Sequence, residues 1–254
     1  MKGNGERLKN LIYKLISVLF WLGVWQVVAM VYGMDFLIPS PVDTFVVLME
    51  KITLESFWSA IYFSVSRIMI GFLLSCLAGG VLALVGIRVR AVRILFDPFC
   101  SVVRAVPVAS FIILVLVMFS SKNVSPVISF LMGFPVVYST VSKGCDCAPV
   151  ELLECAKIYE IGYFSRLRLI YLPHLAPFFS SALSVSCGLC FKSGIAAEVI
   201  GYPRGSVGEA MYLSKVGFDM PTLLSYTAVI VVVSVLIEKL ITRLCSLSYK
   251  SKGV

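Results

Sequence analysis

Three ionisable side chains, Arg67, Lys192 and Glu198, fall within stretches apolar enough to lie in a bilayer. A charge there is costly, so each is a candidate functional group. Lys192, with Phe191, Ser193 and Gly194 beside it, is expected about 12 Å below the outer end of its run by helical rise. At that depth an ammonium would attract an anionic group on a passing solute, or a gate carboxylate. The competing structural expectation is an ion pair with Glu198, Glu209 or another outer acid, because an unpaired lysine in lipid is expensive. Arg67, close to Tyr62 and Ser64, suits helix packing or snorkelling. Arg104-Ala105-Val106-Pro107 fits a bent gate near the inner surface, and a proline kink beside a snorkelling arginine explains it equally well.

The eight cysteines carry less chemistry than their number implies. Cys145-Asp146-Cys147 and the Cys187 to Cys190 pair have suggestive spacing, but neither has a second pair or a neighbouring histidine to complete four metal ligands. Cys76, Cys187 and Cys190 lie in apolar runs, and the others lie in or near segments expected in the reducing cytoplasm. They are expected to pack as small apolar residues. His174, the single histidine, follows Pro173 and is expected at the membrane boundary without a metal.

The third candidate is a short helix outside the bilayer. Pro149-Val150-Glu151-Leu152-Leu153-Glu154-Cys155-Ala156-Lys157-Ile158-Tyr159 begins with a proline and an acid, as a helix start should. Leu152, Leu153, Ala156 and Tyr159 then form an apolar stripe, with Glu151, Glu154 and Lys157 on a charged neighbouring face. Such a helix can insert between the lobes of a soluble partner. An interfacial helix lying on lipid headgroups fits the same pattern, although an acidic face suits anionic lipids poorly.

The elements that must position these residues are membrane spans. The chain of 254 residues is 59% apolar and 14% charged with mean hydropathy +0.96, far beyond a soluble domain. A span takes about 20 apolar residues, and such runs occur at 14–31, 59–87, 101–119, 124–141, 177–200 and 222–241. An all-α polytopic membrane protein with about six transmembrane helices is therefore predicted. The third and fourth are the least regular, because Pro107, Ser120, Lys122 and Pro126 interrupt them and would turn a span into a re-entrant piece. The first run follows a positive start but is too long for a signal-peptide core. Met34-Asp35-Phe36-Leu37-Ile38-Pro39 follows it instead of a small-x-small cleavage site.

The net charge of +8 sets topology. With the N-terminus inside, inner segments hold Lys2, Arg7, Lys9, Lys14, Arg88, Arg90, Arg93, Arg104, Lys143, Lys157, Arg166, Arg168, Lys239, Arg243, Lys250 and Lys252, and only Lys51, Lys122, Arg204 and Lys215 fall outside. Both termini are thus expected in the cytoplasm. The short basic clusters beside spans lack the contiguous, aromatic-interleaved surface that nucleic acid requires. Three segments are expected: 1–55, a first span and outer connector broken at Ile38-Pro39-Ser40-Pro41; 56–247, a five-helix core carrying an inner loop at 142–173; and 248–254, a cytoplasmic tail.

At the inner loop the sequence resembles the permease subunits of binding-protein-dependent ABC importers, whose signature runs Glu-Ala-Ala, a glycine, then an aliphatic residue before Leu-Pro. Glu154, Cys155 and Ala156 take the triplet's places, and Ile170, Leu172 and Pro173 the end. Phe96-Asp97-Pro98, Arg104-Ala105-Val106-Pro107 and the block from Gly194 to Gly201 also match, from about Ser56 to Leu247, and most resemble the nitrate, sulfonate and taurine branch. Glu160 stands at the usual glycine position, with Gly162 two residues later, which puts the turn after the docking helix in question.

The resemblance implies a pathway formed with a second permease copy in a bacterial cytoplasmic membrane. It also implies two cytosolic ABC ATPase subunits beneath, holding the ATP and Mg, and an extracytoplasmic solute-binding protein. Its coupling residues would be Glu151, Leu152, Leu153, Glu154, Cys155, Ala156, Tyr159 and Gly162. Arg104, Pro107, Lys192 and Glu198 are the pathway or gate candidates. The chain has no phosphate-binding G-x-x-x-x-G-K-[ST] loop, so it is expected to be a transport subunit without its own catalytic residues, cofactor or metal. The substrate expected is a small organic anion or vitamin-like solute. The alternative from another class is an autonomous carrier or channel using Lys192 and Glu198 as an ion site. A membrane enzyme is disfavoured because no paired carboxylates, metal set or nucleophile with histidine is visible in the spans.

Overall fold

The structure, a computed structural model, describes residues 2–33 and 38–250. Asp35 and the tail beyond residue 250, with Lys252, lie outside the described residues. The described chain is helical throughout, with no strand. Its α-helices are α1 (Lys2–Tyr32), α2 (Pro41–Ile52), α3 (Glu55–Arg88), α4 (Arg90–Ala105), α5 (Val108–Met118), α6 (Val124–Asp146), α7 (Val150–Ile158), α8 (Tyr163–Arg166), α9 (Leu172–Gly201), α10 (Val207–Val216) and α11 (Met220–Lys250). Five helical segments are long and apolar enough to cross a membrane: Ile12–Tyr32, Glu55–Arg88, Ser121–Asp146, Tyr163–Gly201 and Met220–Cys245.

The third expected span is broken where Pro107 interrupts it, as the sequence implies. Instead of one straight helix over 101–119, α4 and α5 meet at 104°. The cause of the break is local: Pro107 offers no N–H, and it forces Val106 into an extended conformation with ψ 134°, which ends α4. The fourth span is continuous despite its interruptions. Ser121–Asn123 form one 3-10 turn, and Pro126 lies in the first turn of α6, where its missing N–H has no helical partner to lose. The fifth extends further than the apolar run predicts. A five-residue π-turn, Leu167–Tyr171, joins α8 to α9, so much of the expected inner loop is helix, and Pro177 lies inside α9.

The chain divides into two compact units. One comprises the residues up to 59 together with 210–229. In it Pro41 starts α2 and Ser40 caps it. The Ser40 hydroxyl accepts from the Asp43 N–H at 3.1 Å, and the Asp43 carboxylate accepts from the Ser40 N–H at 3.3 Å, a reciprocal cap. The Trp25 indole N–H donates to the Pro39 carbonyl at 3.1 Å. Ser225 donates to the Thr44 carbonyl at 3.0 Å, and Phe57 lies on Tyr226 with ring centroids 4.7 Å apart.

The other unit, residues 60–209 with 230–254, is built around α3, α6 and α9. Small residues let these backbones approach. A Cβ on Gly71 would fall 2.3 Å from the Pro126 carbonyl oxygen, and one on Gly133 would fall 2.4 Å from Ser75 Oγ and 2.7 Å from Cys190 Sγ. Ser129 donates to the Cys190 carbonyl at 3.2 Å, and Cys190 Sγ lies 3.1 Å from the Ser129 carbonyl. Cys187 and Cys190 are fully buried, filling helix contacts as small residues do. Ile68, Phe72, Phe134, Tyr138, Leu183 and Phe191 complete this core.

Candidate functional site

The short helix predicted between spans is α7. Pro149 precedes it, and its carbonyl accepts from the Leu153 N–H at 3.2 Å. Glu151 lies in the first turn and Lys157 in the last, each on the favourable side of the helix dipole. Its end explains the glycine of the resembling signature. The Ile161 N–H donates to the Ala156 carbonyl at 2.9 Å and the Glu160 N–H to the Lys157 carbonyl at 3.2 Å, the two bonds of a Schellman turn. That turn needs a left-handed residue, and Glu160 takes it at φ 52°. The turn is therefore retained without its glycine. Gly162, with φ −59°, does not supply the left-handed residue.

The exposed surface of α7 differs from the predicted stripe by part of a turn. Ala156 is 1% exposed and packs into its own chain, so it presents nothing to a partner groove, which corrects its expected role. Leu153 is half-buried. Leu152, Ile158 and Tyr159 stand out at 52%, 76% and 78% exposed, and Glu151, Glu154 and Cys155 are exposed beside them. Ile158 was not predicted; only the helical phase imposed by the burial of Ala156 reveals it.

The ends of the surrounding helices hold the base of this loop. Arg93 on α4 pairs with Asp146 at the end of α6. The Arg88 guanidinium at the end of α3 lies 5.1 Å from the centre of the Tyr163 ring on α8. Arg166 donates from Nε to the Ile161 carbonyl at 2.8 Å, and Tyr138 on α6 donates to Asp97 on α4 at 2.8 Å. Gly144 gives close passage to Leu175 and Phe178 of α9. α7 thus projects from a braced platform.

Arg104 and Pro107 lie at the 104° bend. Arg104 is exposed; its Nε donates to the Cys100 carbonyl at 3.2 Å and its NH1 to Ser139 of α6 at 3.2 Å, tying the last turn of α4 to a neighbouring helix. Alongside runs an aromatic column the sequence reading missed: Phe130, Phe134 and Tyr138 stack at successive turns of α6, with centroids 5.7 and 6.0 Å apart. Its i, i+4 spacing was the available signal.

Lys192 and Glu198 are not brought together. Lys192 is exposed, Glu198 is 0% exposed, and the expected ion pair between them is absent among the described residues. Glu209 is engaged elsewhere, accepting from the Gly205 N–H at 2.6 Å. Glu198 is a buried fastening instead. Ser64 donates to its Oε2 at 2.5 Å and accepts from the Val207 N–H at 2.9 Å, linking α3, the end of α9 and the start of α10. A Cβ on Gly208 would lie 2.2 Å from the Glu198 carbonyl carbon. The common ion site required by the carrier alternative does not form.

Residues 71–245 match the family model described as binding-protein-dependent transport system inner membrane component. The chain belongs to that family: it is a multi-pass permease subunit of a binding-protein-dependent ABC importer in the cytoplasmic membrane. It is 24% identical over 210 residues to the nitrate import permease protein NrtB of Synechococcus elongatus, covering 76% of this chain and 73% of that one. It is 23% identical over 192 residues to the putative aliphatic sulfonates transport permease protein SsuC of Bacillus subtilis, covering 72% and 67%. The fold is also similar to a crystal structure of an amino acid ABC transporter with histidines, at TM-score 0.59 and 14% identity, covering 80% of this chain and 96% of that one.

Proposed function

We propose that two copies of this subunit enclose the solute pathway and that α7 of each docks into a separate cytosolic ATPase, which binds the ATP and Mg. The observation that carries this reading is the exposed Leu152, Ile158 and Tyr159 surface on a helix whose base is braced by Arg93–Asp146 and Arg88–Tyr163. Apolar side chains exposed on the aqueous side of a membrane protein call for a partner, and a braced base transmits a rigid-body push to the spans. Glu151 and Glu154 supply the charged contacts, Leu152, Tyr159 and Ile158 the buried ones, with Leu153 and Cys155 at the margin. Ala156 and the Glu160 turn set the angle of the helix.

Both termini lie in the cytoplasm on this reading, because the basic residues concentrate on the α7 side. A solute-binding protein delivers solute from the opposite face. The solute is a small anion, organic or vitamin-like. Two relatives carry names for nitrate and aliphatic sulfonate transport, and Lys192 is exposed on a spanning helix with no ion-pair partner among the described residues. Arg104 and Pro107 form the bent inner gate, and Glu198 holds the outer end of the bundle.

Purifying tagged protein from its native membrane in mild detergent, as wild type and as Glu154→Arg, tests the coupling. An ATPase retained by wild type and lost by the variant, with the permease assembly unchanged, is the expected result. Wild type that purifies alone and moves solute in liposomes without ATP would overturn it in favour of an autonomous carrier. Lys192→Met is expected to weaken transport of an anionic solute without loss of assembly; unchanged uptake affinity would remove Lys192 from the pathway.

A further inference from the structure

Between α3 and α6 runs an open cavity of about 620 Å3, within the range of ligand sites. Leu74, Ala78 and Val81 line it from α3, and Pro126, Val127 and Phe130 from α6. Every lining residue is apolar, and the cations stand beyond its end, above the close approach of Gly71 to Pro126. On α3, Arg67, Gly71, Leu74, Ala78 and Val81 follow at helical spacing on one stripe, and Asn123, which precedes α6, leads into Pro126, Val127 and Phe130 on that helix in the same way. Each stripe therefore runs from a polar residue into the apolar groove. The two polar residues meet: Arg67 NH2 donates to Asn123 Oδ1 at 3.3 Å, and Lys122 is exposed beside it.

The height of this end matches a headgroup. Arg67 and Arg88 bound a stretch of α3 about 31 Å long by helical rise, the thickness of the hydrocarbon core, so Arg67 stands at the level of lipid phosphates and the groove, from Leu74 onward, begins about 10 Å below it. The guanidinium is underused. It has five donors, of which one makes the bond to Asn123; its Nε is buried with no partner, and its face rests on Phe63 at 4.7 Å. No ion pair joins Arg67 to Glu198 among the described residues.

We propose that this groove holds one anionic phospholipid, its phosphate on Arg67 and Lys122 and one acyl chain along Leu74, Ala78, Val81 and Phe130. Charge complementarity favours a lipid over a helix of a second copy. Arg67 and Lys122 above the groove call for an anion at headgroup height, while the groove walls below offer only apolar contact. The proposal is independent of the docking role of α7.

The test is native mass spectrometry of the delipidated full chain, titrated with phosphatidylglycerol and with phosphatidylcholine of matched acyl chains. One phosphatidylglycerol per chain is expected, bound about tenfold or more tightly than phosphatidylcholine, as charged hydrogen bonds to a phosphate imply. Arg67→Gln with Lys122→Gln is expected to bring the two lipids within about twofold of each other, and Ala78→Trp, which fills the groove, to remove both. Equal binding of the two lipids by wild type would overturn the proposal, as would displacement of the lipid by millimolar inorganic phosphate. So would Ala78→Trp leaving phosphatidylglycerol bound while dissociating a dimer, which would assign the groove to a second copy. Should Ala78→Trp fail to fold, the doubly substituted variant still decides through headgroup preference.

Discussion

The α3–α6–α9 bundle and the α7 loop solve opposite problems within one unit. In the bundle, glycine, serine and cysteine bring backbones so close that Gly71 and Gly133 have no room for a Cβ, and polar contacts are made within the chain, as between Ser64 and Glu198 Oε2. In α7 a single alanine is buried while leucine, isoleucine and tyrosine stand in water. The bundle minimises its dependence on anything outside the chain, and the loop maximises it. The proposed coupling role requires this, because a helix that satisfied its own apolar surface would have nothing to offer a partner.

The contrast breaks most visibly in the bundle. Gly71→Val would drive a side chain into the Pro126 carbonyl and Ser129 Cβ, 2.3 and 2.8 Å from the new Cβ. Forcing the α3 and α6 backbones apart is expected to cost about 3 kcal/mol or more. Gel filtration and thermal unfolding in detergent should show loss of monodisperse protein; a variant with wild-type stability would mean the bundle is looser than its glycines imply.

Ser64→Ala comes next. It leaves Glu198 Oε2 and the Val207 N–H, both bonded to the serine hydroxyl, without that partner, at a cost of about 2 kcal/mol. The lost stability should appear with faster hydrogen exchange at the start of α10. If exchange is unchanged, the Ser64–Glu198 link does not hold that turn.

Tyr159→Ala sharpens the other side of the comparison. The ring is 78% exposed, so thermal unfolding of the isolated permease should not change. ATPase retention should fall about tenfold or more if the ring fills a partner pocket. Loss of permease stability with undiminished ATPase binding would reverse the comparison, making the tyrosine a packing residue.

The spans were legible because a bilayer demands about 20 apolar residues in a row, and α7 because proline, acids and periodicity mark a helix start. The resemblance to importer permeases rested on the same loop and was met by the family match over 71–245. What lies beyond depended on phase and distance. Ala156 and Ile158 exchanged roles because a nine-residue helix leaves its rotation about its axis to the neighbours. Lys192 and Glu198 share a helix and invited pairing, yet the partner of Glu198 is Ser64, 134 residues away. Pro107 announced a break in the third span, but the 104° angle is set by packing of α5 against α6 and α9, to which Ile112 and Val115 contribute. Composition carries no trace of that.

The smallest effect concerns the turn where this chain departs from the resembling signature. Glu160 at φ 52° bears the steric cost of a left-handed side-chain residue, about 1 kcal/mol, which glycine escapes. Glu160→Gly removes that strain but gives the unfolded chain more freedom, so the net gain in stability should be below about 1 kcal/mol. The informative readout is local. Because the Ile161 and Glu160 N–H groups close the turn onto Ala156 and Lys157, their hydrogen exchange should slow or stay unchanged in Glu160→Gly and quicken in Glu160→Val, whose branched Cβ tolerates this φ worst. Equal exchange in the two variants would mean that the turn is held from outside, by the platform beneath it, and that α7 owes its angle to the bundle more than to its own cap.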